Sequence, residues 1–391
     1  MSGGVLHSLC ATALAAVVVT SPAAPAAVAA PSPLPAGPGT PAATGTADTG
    51  VATLLSELQK LYQQAEEATE TYNGTAAELK KRTADAKKLD AALVTARLSL
   101  SRSRDAAGQL AREQYQGRSD FSSYLRLLLS RDPGQALDQG QVIQRLAAGR
   151  MAAVQGLTGA EKRADGLAKK SRKVLDEQQV LAARQKKDRD AVHKRLKEVE
   201  AKLATLSADQ LAELSGLEQK DTAKAQGALA ASGALSSTRP PSEAGGEAVR
   251  YAVRQIGKPY VWGAEGPGSF DCSGLTSQAW ANAGRPIPRT SQEQWRQLQK
   301  VPVSALRPGD LVIYFPKATH VALYIGNGLV VQAPRPGSRV KVSPLASNPL
   351  LGAVRPDPDS APLRTYSPPE LPQGASDGSD EGYSVSSAPE E

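Results

Sequence analysis

The sequence is short of thiols and imidazoles. Its 391 residues hold two cysteines, Cys10 and Cys272, and three histidines, His7, His193 and His320. So few cysteines exclude a disulfide-stapled scaffold and a multi-cysteine zinc module. Proline is missing from the middle of the chain: of 28 prolines, only Pro133 lies between residues 51 and 238. Proline removes a backbone donor and clashes inside a helix, so this stretch is free to run as long helices. Tryptophan is missing there too, because Trp262, Trp280 and Trp295 all fall in one short later segment. The two compositions imply two architectures, as the length of 391 residues also suggests. A net charge of +7 would favour anionic partners, but no aromatic–basic interleaving is present and the positive charge sits on helix faces. No nucleic-acid partner is expected.

No charged side chain precedes Asp48. Residues 9–19 are apolar, and Ala27-Val28-Ala29 has the small residues a signal peptidase requires. Residues 1–30 therefore read as a secretory signal cleaved near Ala29, too short to span a membrane, although the usual Lys/Arg before the apolar core is missing. Cys10 lacks a lipoprotein-type motif before it, so no lipid anchor is expected. Cleavage would leave Cys272 as the single thiol of an exported chain, where an unpaired cysteine is exposed to oxidation and its retention asks for a reason.

Residues 31–50 are Pro/Ala/Thr/Gly-rich and are expected to be a disordered spacer. From Val51 the pattern turns helical. Leu58, Ala65, Tyr72, Leu79, Ala86, Leu93, Leu100 and Ala107 recur every seven residues, with Leu54, Leu61, Ala68, Leu89, Ala96 and Leu110 in companion positions. This is coiled-coil periodicity. It breaks near Gly117, at an apolar cluster containing Phe121, Tyr124, Leu125, Leu127, Leu128 and Leu129, followed by the turn signal Arg131-Asp132-Pro133-Gly134. A second helical run extends to about Ser232. Residues 51–232 are thus predicted to form an antiparallel coiled-coil hairpin, whose apolar cluster either packs its tip or docks a partner. Residues 233–246 read as a linker, 247–356 as a compact domain, and 357–391 as a disordered acidic tail.

Within the compact domain, Leu275, Ala279 and Ala281 follow Cys272 at helical spacing and Gly284 is placed to end that helix. Asp271 then falls at the N-cap and Cys272 in the first turn, where backbone N–H groups and the helix dipole favour a thiolate. A lone cysteine is more often a small buried hydrophobe, but the helix-start position argues for a nucleophile. A thiol nucleophile needs a base, and the domain's one histidine, His320, stands 48 residues later in a β-branched, alternating run. Cysteine on a helix and histidine on a later strand is a papain-like order. A third group commonly orients the imidazole. The next strand offers one polar side chain, Gln332. A two-residue Asn327-Gly328 turn would put it on the face opposite His320, whereas a three-residue loop with a glycine bulge would put it across from Ala322 and on the His320 face. The second is expected. Otherwise Gln332 is an exposed strand residue beside a Cys–His dyad.

The segments Gln255-Ile256-Gly257-Lys258-Pro259-Tyr260-Val261-Trp262-Gly263, Phe270-Asp271-Cys272-Ser273-Gly274-Leu275, Pro288-Arg289-Thr290-Ser291, Arg307-Pro308-Gly309-Asp310-Leu311 and His320-Val321 with Tyr324-Ile325-Gly326-Asn327-Gly328 resemble the NlpC-type peptidoglycan endopeptidases, papain-like cysteine peptidases of the bacterial cell wall. The resemblance implies an α+β papain-like domain, its cysteine helix packed on an antiparallel sheet and preceded here by the all-α hairpin. It implies hydrolysis of peptidoglycan stem peptides, commonly at the D-γ-glutamyl–diaminopimelate bond, in wall remodelling or daughter-cell separation. Cys272 matches the nucleophile and His320 the base, while the third position, often histidine, is Gln332. Asp271 and Ser273 match positions that meet the stem peptide's amino end, Tyr260 turns its hydroxyl to the site, and the Cys272 N–H suits an oxyanion. No metal or cofactor is implied. The helical region is similar to that of exported, division-associated wall hydrolases. That likeness implies a secreted or wall-associated protein whose arm docks a membrane division complex of the FtsX type; the alternative, drawn from the length of the arm and a linker of only about 14 residues that keeps it at high local concentration, is autoinhibition by a helix covering the Cys272 cleft. A catalytically weak wall- or partner-binding protein on the same fold is the alternative, and a transglutaminase- or acyltransferase-like enzyme is disfavoured by the motif spelling.

Overall fold

A computed structural model describes residues 46–115, 125, 128–129, 133–235 and 239–376. The expected signal segment, most of the spacer and most of the apolar cluster at 121–129 lie outside the described residues. Leu125, Leu128 and Leu129 of that cluster are exposed.

Helix α1 (Thr46–Tyr115) and helix α2 (Pro133–Leu203) run antiparallel, as the pairs Lys202–Glu57, Thr75–Asp188 and Ser171–Asp90 show. At 1.5 Å per residue the 70 residues of α1 span roughly 105 Å. The spacer expectation needs correcting at its end. Pro41 is the last proline before the run, so nothing stops α1 from propagating back to Thr46. Pro133 and Gly134, read as a turn, instead open α2, where a missing N–H costs no hydrogen bond. The second helical run is also two helices. A capping box at Ser207, whose side chain accepts from Gln210 N–H while the Gln210 side chain accepts from Ser207 N–H, starts helix α3 (Ala208–Ala231). Val51, Leu55, Leu58 and Tyr62 of α1 close a core here with Val199, Leu203 and Leu214.

The domain begins earlier than residue 247. Ser242 caps helix α4 (Glu243–Val253), which buries Gly245, Gly246, Ala248, Val249 and Ala252, and Ser242 Oγ also donates to Asp357. Nor is the start of the tail free. Asp357 forms a buried ion pair with Arg307 at 2.8 Å, and Leu363 N–H donates to the Pro241 carbonyl. Ala375 accepts from Val342 N–H, extending the sheet's edge. Residues 357–376 thus belong to the folded domain, because a buried ion pair and an edge-strand bond hold them.

The domain is α+β. Helix α5 (Cys272–Asn282), helix α6 (Ser291–Gln297) and α4 accompany strands β1 (Gln299–Val301), β2 (Leu311–Tyr314), β3 (His320–Gly326), β4 (Leu329–Gln332), β5 (Lys341–Pro344) and β6 (Leu350–Arg355). The sheet is antiparallel throughout, in the order β1-β6-β2-β3-β4-β5. Its strands alternate as period-two pleating requires. Leu311, Ile313, Val321, Leu323 and Val331 face α4 and α5, while Val312, Tyr314, Ala322, Tyr324 and Val330 form a second core. Leu229 and Leu235 pack on that second core. Helix α3 is pinned there by Gln226, which donates to Gly328 O and accepts from Ala346 N–H, and by Glu218 paired with Arg335 at 2.9 Å.

Candidate active site

Cys272 is the first residue of α5, and Asp271 before it is the N-cap, its Oδ1 accepting from Gly274 N–H at 2.6 Å. The same carboxylate is gripped by Arg289, with Nη1 3.1 Å from Oδ1 and Nη2 2.8 Å from Oδ2, and Oδ2 also accepts from Gly263 N–H. Gly274 is required by close approach: a Cβ there would lie 2.1 Å from the Ala264 carbonyl oxygen. The first turn of α5 therefore presses against the Tyr260–Phe270 loop and sets the thiol beside β3, where the Val321 N–H meets the sulfur.

His320 opens β3 and Gln332 closes β4. The connection is a two-residue Asn327-Gly328 turn, both residues at positive φ, and a register shift between Tyr324 and Gly326 absorbs one extra residue. The bulge restores the parity that a two-residue turn alone would lose. Gln332 therefore shares the face of His320, and its Oε1 lies 2.7 Å from His320 Nε2. The Gln332 amide nitrogen donates to Ser347 Oγ at 3.4 Å, so the oxygen is the end left to accept the ring N–H. This leaves Nδ1 as the basic nitrogen of a neutral ring.

The cleft is filled from outside the domain. Glu66, Thr69, Glu70 and Asn73 of α1 lie at i, i+3, i+4 and i+7, one stripe of the helix, and all four are buried. Glu66 Oε1 stands 3.1 Å from His320 Nδ1, off the axis of a good hydrogen bond. Glu70 Oε1 is 3.9 Å from Cys272 Sγ and accepts from Ser273 Oγ at 2.6 Å, while Oε2 accepts from Ser291 N–H at 2.6 Å. Asn73 Nδ2 donates to Asp271 Oδ2 at 3.0 Å. Farther along, Tyr72 meets the edge of Trp262 with ring centroids 5.1 Å apart, and His193 of α2 meets the same indole at 5.4 Å. Exposed Lys317 pairs with Glu67 at 2.8 Å.

Burial and charge together quiet the thiol. Cys272 is only 2% exposed, and burial, then Glu70, Asp271 and Glu66, raise its pKa well above the ordinary thiol value. Burial pulls His320 down, but Glu66 and the Gln332 contact outweigh it and leave the imidazole raised. Glu70 is pushed up to about 7, first by burial and then by Asp271, against the donors Ser273, Arg289 and Ser291. Tyr260 is likewise raised by burial and by the neighbouring Cys272, Asp271, Glu66 and Glu70, which puts its phenol at this cleft.

Glu70, Asp271 and Cys272 bring potential ligand atoms within 4.8 Å of one another. The carboxylate oxygens already accept from backbone N–H, serine, asparagine and arginine donors, so the cluster is built as a hydrogen-bonded network. Sequence reasoning missed Glu66, Glu70, Asn73, Arg289 and Ser291. On α1, Glu66 and Glu70 at i and i+4 repel on an isolated helix, but Ala65, Ala68 and Tyr72 keep the heptad beside them, so the stripe reads as a solvated face.

Residues 257–352 match the NlpC/P60 family model. A probable endopeptidase of Corynebacterium glutamicum is 45% identical over 116 residues, covering 29% of this chain and 56% of that protein. A probable endopeptidase of Mycobacterium tuberculosis is 41% identical over 119 residues, covering 29% of this chain and 31% of that one. The peptidoglycan endopeptidase RipA of Mycolicibacterium smegmatis is 41% identical over 126 residues, covering 28% of this chain and 25% of RipA. This chain therefore spans between 25% and 56% of the length of these relatives. The matched region, residues 257–352, is an NlpC/P60-family domain.

Proposed function

We propose that the chain is a secreted cysteine endopeptidase that hydrolyses peptidoglycan stem peptides at the D-γ-glutamyl–diaminopimelate bond, and that the α1–α2 hairpin holds it inactive. The observation that carries the first part is Cys272 at a capped helix start beside β3, with His320 anchored through Nε2 to Gln332. In the mechanism, His320 Nδ1 takes the thiol proton and Sγ adds to the scissile carbonyl. The Cys272 N–H and the Tyr260 hydroxyl stabilise the oxyanion. The tetrahedral adduct collapses as His320 returns the proton to the departing amine, leaving a thioester. Water, deprotonated by the same imidazole, then releases the acyl product. Gln332 keeps the ring in the tautomer this sequence needs.

What supports the second part is that Glu66 and Glu70, one turn apart, sit at the two atoms between which the proton must move. Export is supported by the apolar 9–19 segment and the small residues at 27–29. Release of the hairpin would fall to a membrane division complex of the FtsX type, engaging the far arm, where Leu137, Leu146, Met151 and Val154 are exposed. The test is cleavage of an L-Ala-γ-D-Glu–diaminopimelate peptide by the full chain and by its Glu66→Lys/Glu70→Lys double variant. A lysine at 70 would be buried beside Arg289 and one at 66 beside His320, and breaking such buried contacts costs about 3–5 kcal/mol, so the variant should be faster by about a hundredfold or more. Failure of both proteins to cut would sink the endopeptidase reading, and equal rates would sink the inhibitory one.

A further inference from the structure

The side chain that holds His320 is an amide, and an amide fits its site in either of two orientations. Its oxygen and nitrogen are similar in size, but only the oxygen accepts the ring N–H. An NH2 group facing the ring would donate to Nε2 and move the ring proton to Nδ1, the nitrogen that must take the thiol proton. A chain of contacts removes this freedom. The Leu345 carbonyl can only accept, so the Tyr314 hydroxyl donates to it at 2.9 Å. The phenol oxygen also meets the Ser347 hydroxyl, which must then donate to it. With its proton engaged, Ser347 Oγ accepts from the Gln332 amide nitrogen at 3.4 Å. The amide oxygen is left for His320 Nε2, 2.7 Å away. Polarity thus runs one way, from a backbone carbonyl to the imidazole. Tyr314 also lies opposite His320 across β2 and β3, with ring centroids 5.6 Å apart.

The head of this chain is held by a residue outside the NlpC/P60 match at 257–352. Leu345 N–H donates to Gly328 O at 2.8 Å. Gln226 of α3 donates to the same oxygen at 2.9 Å and accepts from Ala346 N–H at 2.9 Å. The fit is close, because a Cβ on Gly328 would lie 2.7 Å from Gln226 Nε2. We propose that Tyr314 and Ser347 are positioning residues that hold His320 in its Nε2–H tautomer through Gln332, and that Gln226 of α3 steadies the 345–347 loop on which they depend. Helix α3 is then part of the working enzyme, whereas α1 must leave for the cleft to open. This deepens the endopeptidase reading, on which it rests, by adding residues to the same site. The relay is needed because residue 332 is an amide. A carboxylate there would accept at either oxygen and need no direction.

The test uses the full chain carrying Glu66→Lys/Glu70→Lys, labelled with 15N-histidine and held at a pH where the His320 ring is neutral. NMR should show that ring protonated at Nε2. Adding Ser347→Ala removes the acceptor that orients the amide, a bond worth on the order of tenfold in population, so an Nδ1–H form of about a third or more should appear. On an L-Ala-γ-D-Glu–diaminopimelate peptide the same change should lower kcat about two- to fivefold and leave KM unaltered. Ser347→Thr, which keeps the hydroxyl, should recover most of that loss. Tyr314→Phe should act in the same direction as Ser347→Ala, and Gln226→Ala more weakly. With Gln332→Glu in place, Ser347→Ala should lower kcat by less than about twofold, because the carboxylate needs no orientation. A ring that stays wholly Nε2–H in Ser347→Ala overturns the inference. So does an equal loss with glutamine and glutamate at 332, or a change confined to KM. The tautomer is read without substrate, so failure of the chain to cut the peptide sinks the endopeptidase reading and leaves the NMR result to decide the relay.

Discussion

The His320 ring is held from two sides that differ in origin. On one side Gln332, twelve residues away on the neighbouring strand, meets Nε2 at 2.7 Å. On the other Glu66, from a helix more than 250 residues earlier, stands 3.1 Å from Nδ1. The first contact is fixed by the register of one β-hairpin and persists wherever that hairpin is folded. The second exists only while α1 lies in the cleft. The same contrast runs along α1 itself. Val51, Leu55, Leu58 and Tyr62 are buried against other apolar side chains of the helical base, whereas Glu66, Glu70 and Asn73 are buried polar groups whose partners belong largely to the domain. Polar groups lose free energy on burial unless they are paired. The base is therefore self-sufficient, and the stripe at 66–73 is conditional on docking.

That difference assigns opposite signs to substitutions on the two sides. With the cleft opened by Glu66→Lys/Glu70→Lys, adding Cys272→Ala should lower stem-peptide cleavage on the order of 10⁴-fold or more, as removal of a nucleophile does in enzymes where residues act as a unit. Residual cleavage near the parent rate would show that the reacting group lies elsewhere. Gln332→Ala in the same background should lower kcat about tenfold and broaden the pH–rate profile, because the ring loses its hydrogen-bonded tautomer. A change in KM alone would place Gln332 in substrate binding instead.

The smallest effect is a pH dependence of docking. Glu70 is held at about 7 against an ordinary 4.5. The cost of burying its charge is absent below the ordinary pKa and complete above the docked one. His320, also raised, loses its charged contact with Glu66 as pH climbs through its docked value. Both signs agree, so docking should weaken between about pH 4.5 and 7. The Trp262 indole, edge-on to Tyr72 in the docked state, offers a readout. Tryptophan fluorescence of the full chain should shift progressively across this window and shift less in Glu70→Gln. Identical titrations of the two proteins would remove Glu70 from the account.

The placements of Cys272, His320 and Gln332 were legible from the residues. Asp271 before Cys272 announces a capped helix, and the single domain histidine in a β-branched run leaves few alternatives. The Gln332 face followed from parity, although the extra residue sits in a bulge at Ile325–Gly326 rather than in a longer loop. Among the boundaries that moved, two carry only short signals: the Ser207/Gln210 box that divides the second helical run, and the Ser242 cap that opens the domain inside the expected linker. Glu66, Glu70 and Asn73 were not legible, because a polar stripe on a helix reads as solvated until its partners are known. Heptad spacing describes how α1 meets α2 and says nothing of a third surface. Arg289 and Ser291 escaped for a related reason: they lie in a loop and a short helix whose local signals are those of capping, and their roles follow from contacts made across the cleft.

The most direct test of the central claim, that α1 silences Cys272 by occupying its cleft, is the rate of iodoacetamide alkylation at Cys272, located by mass spectrometry, in the full chain and in Glu66→Lys/Glu70→Lys. A nearly inert thiol is expected in the first and a rate higher by about a hundredfold or more in the second, in line with the loss of buried charge contacts. Equally fast alkylation in both would contradict it.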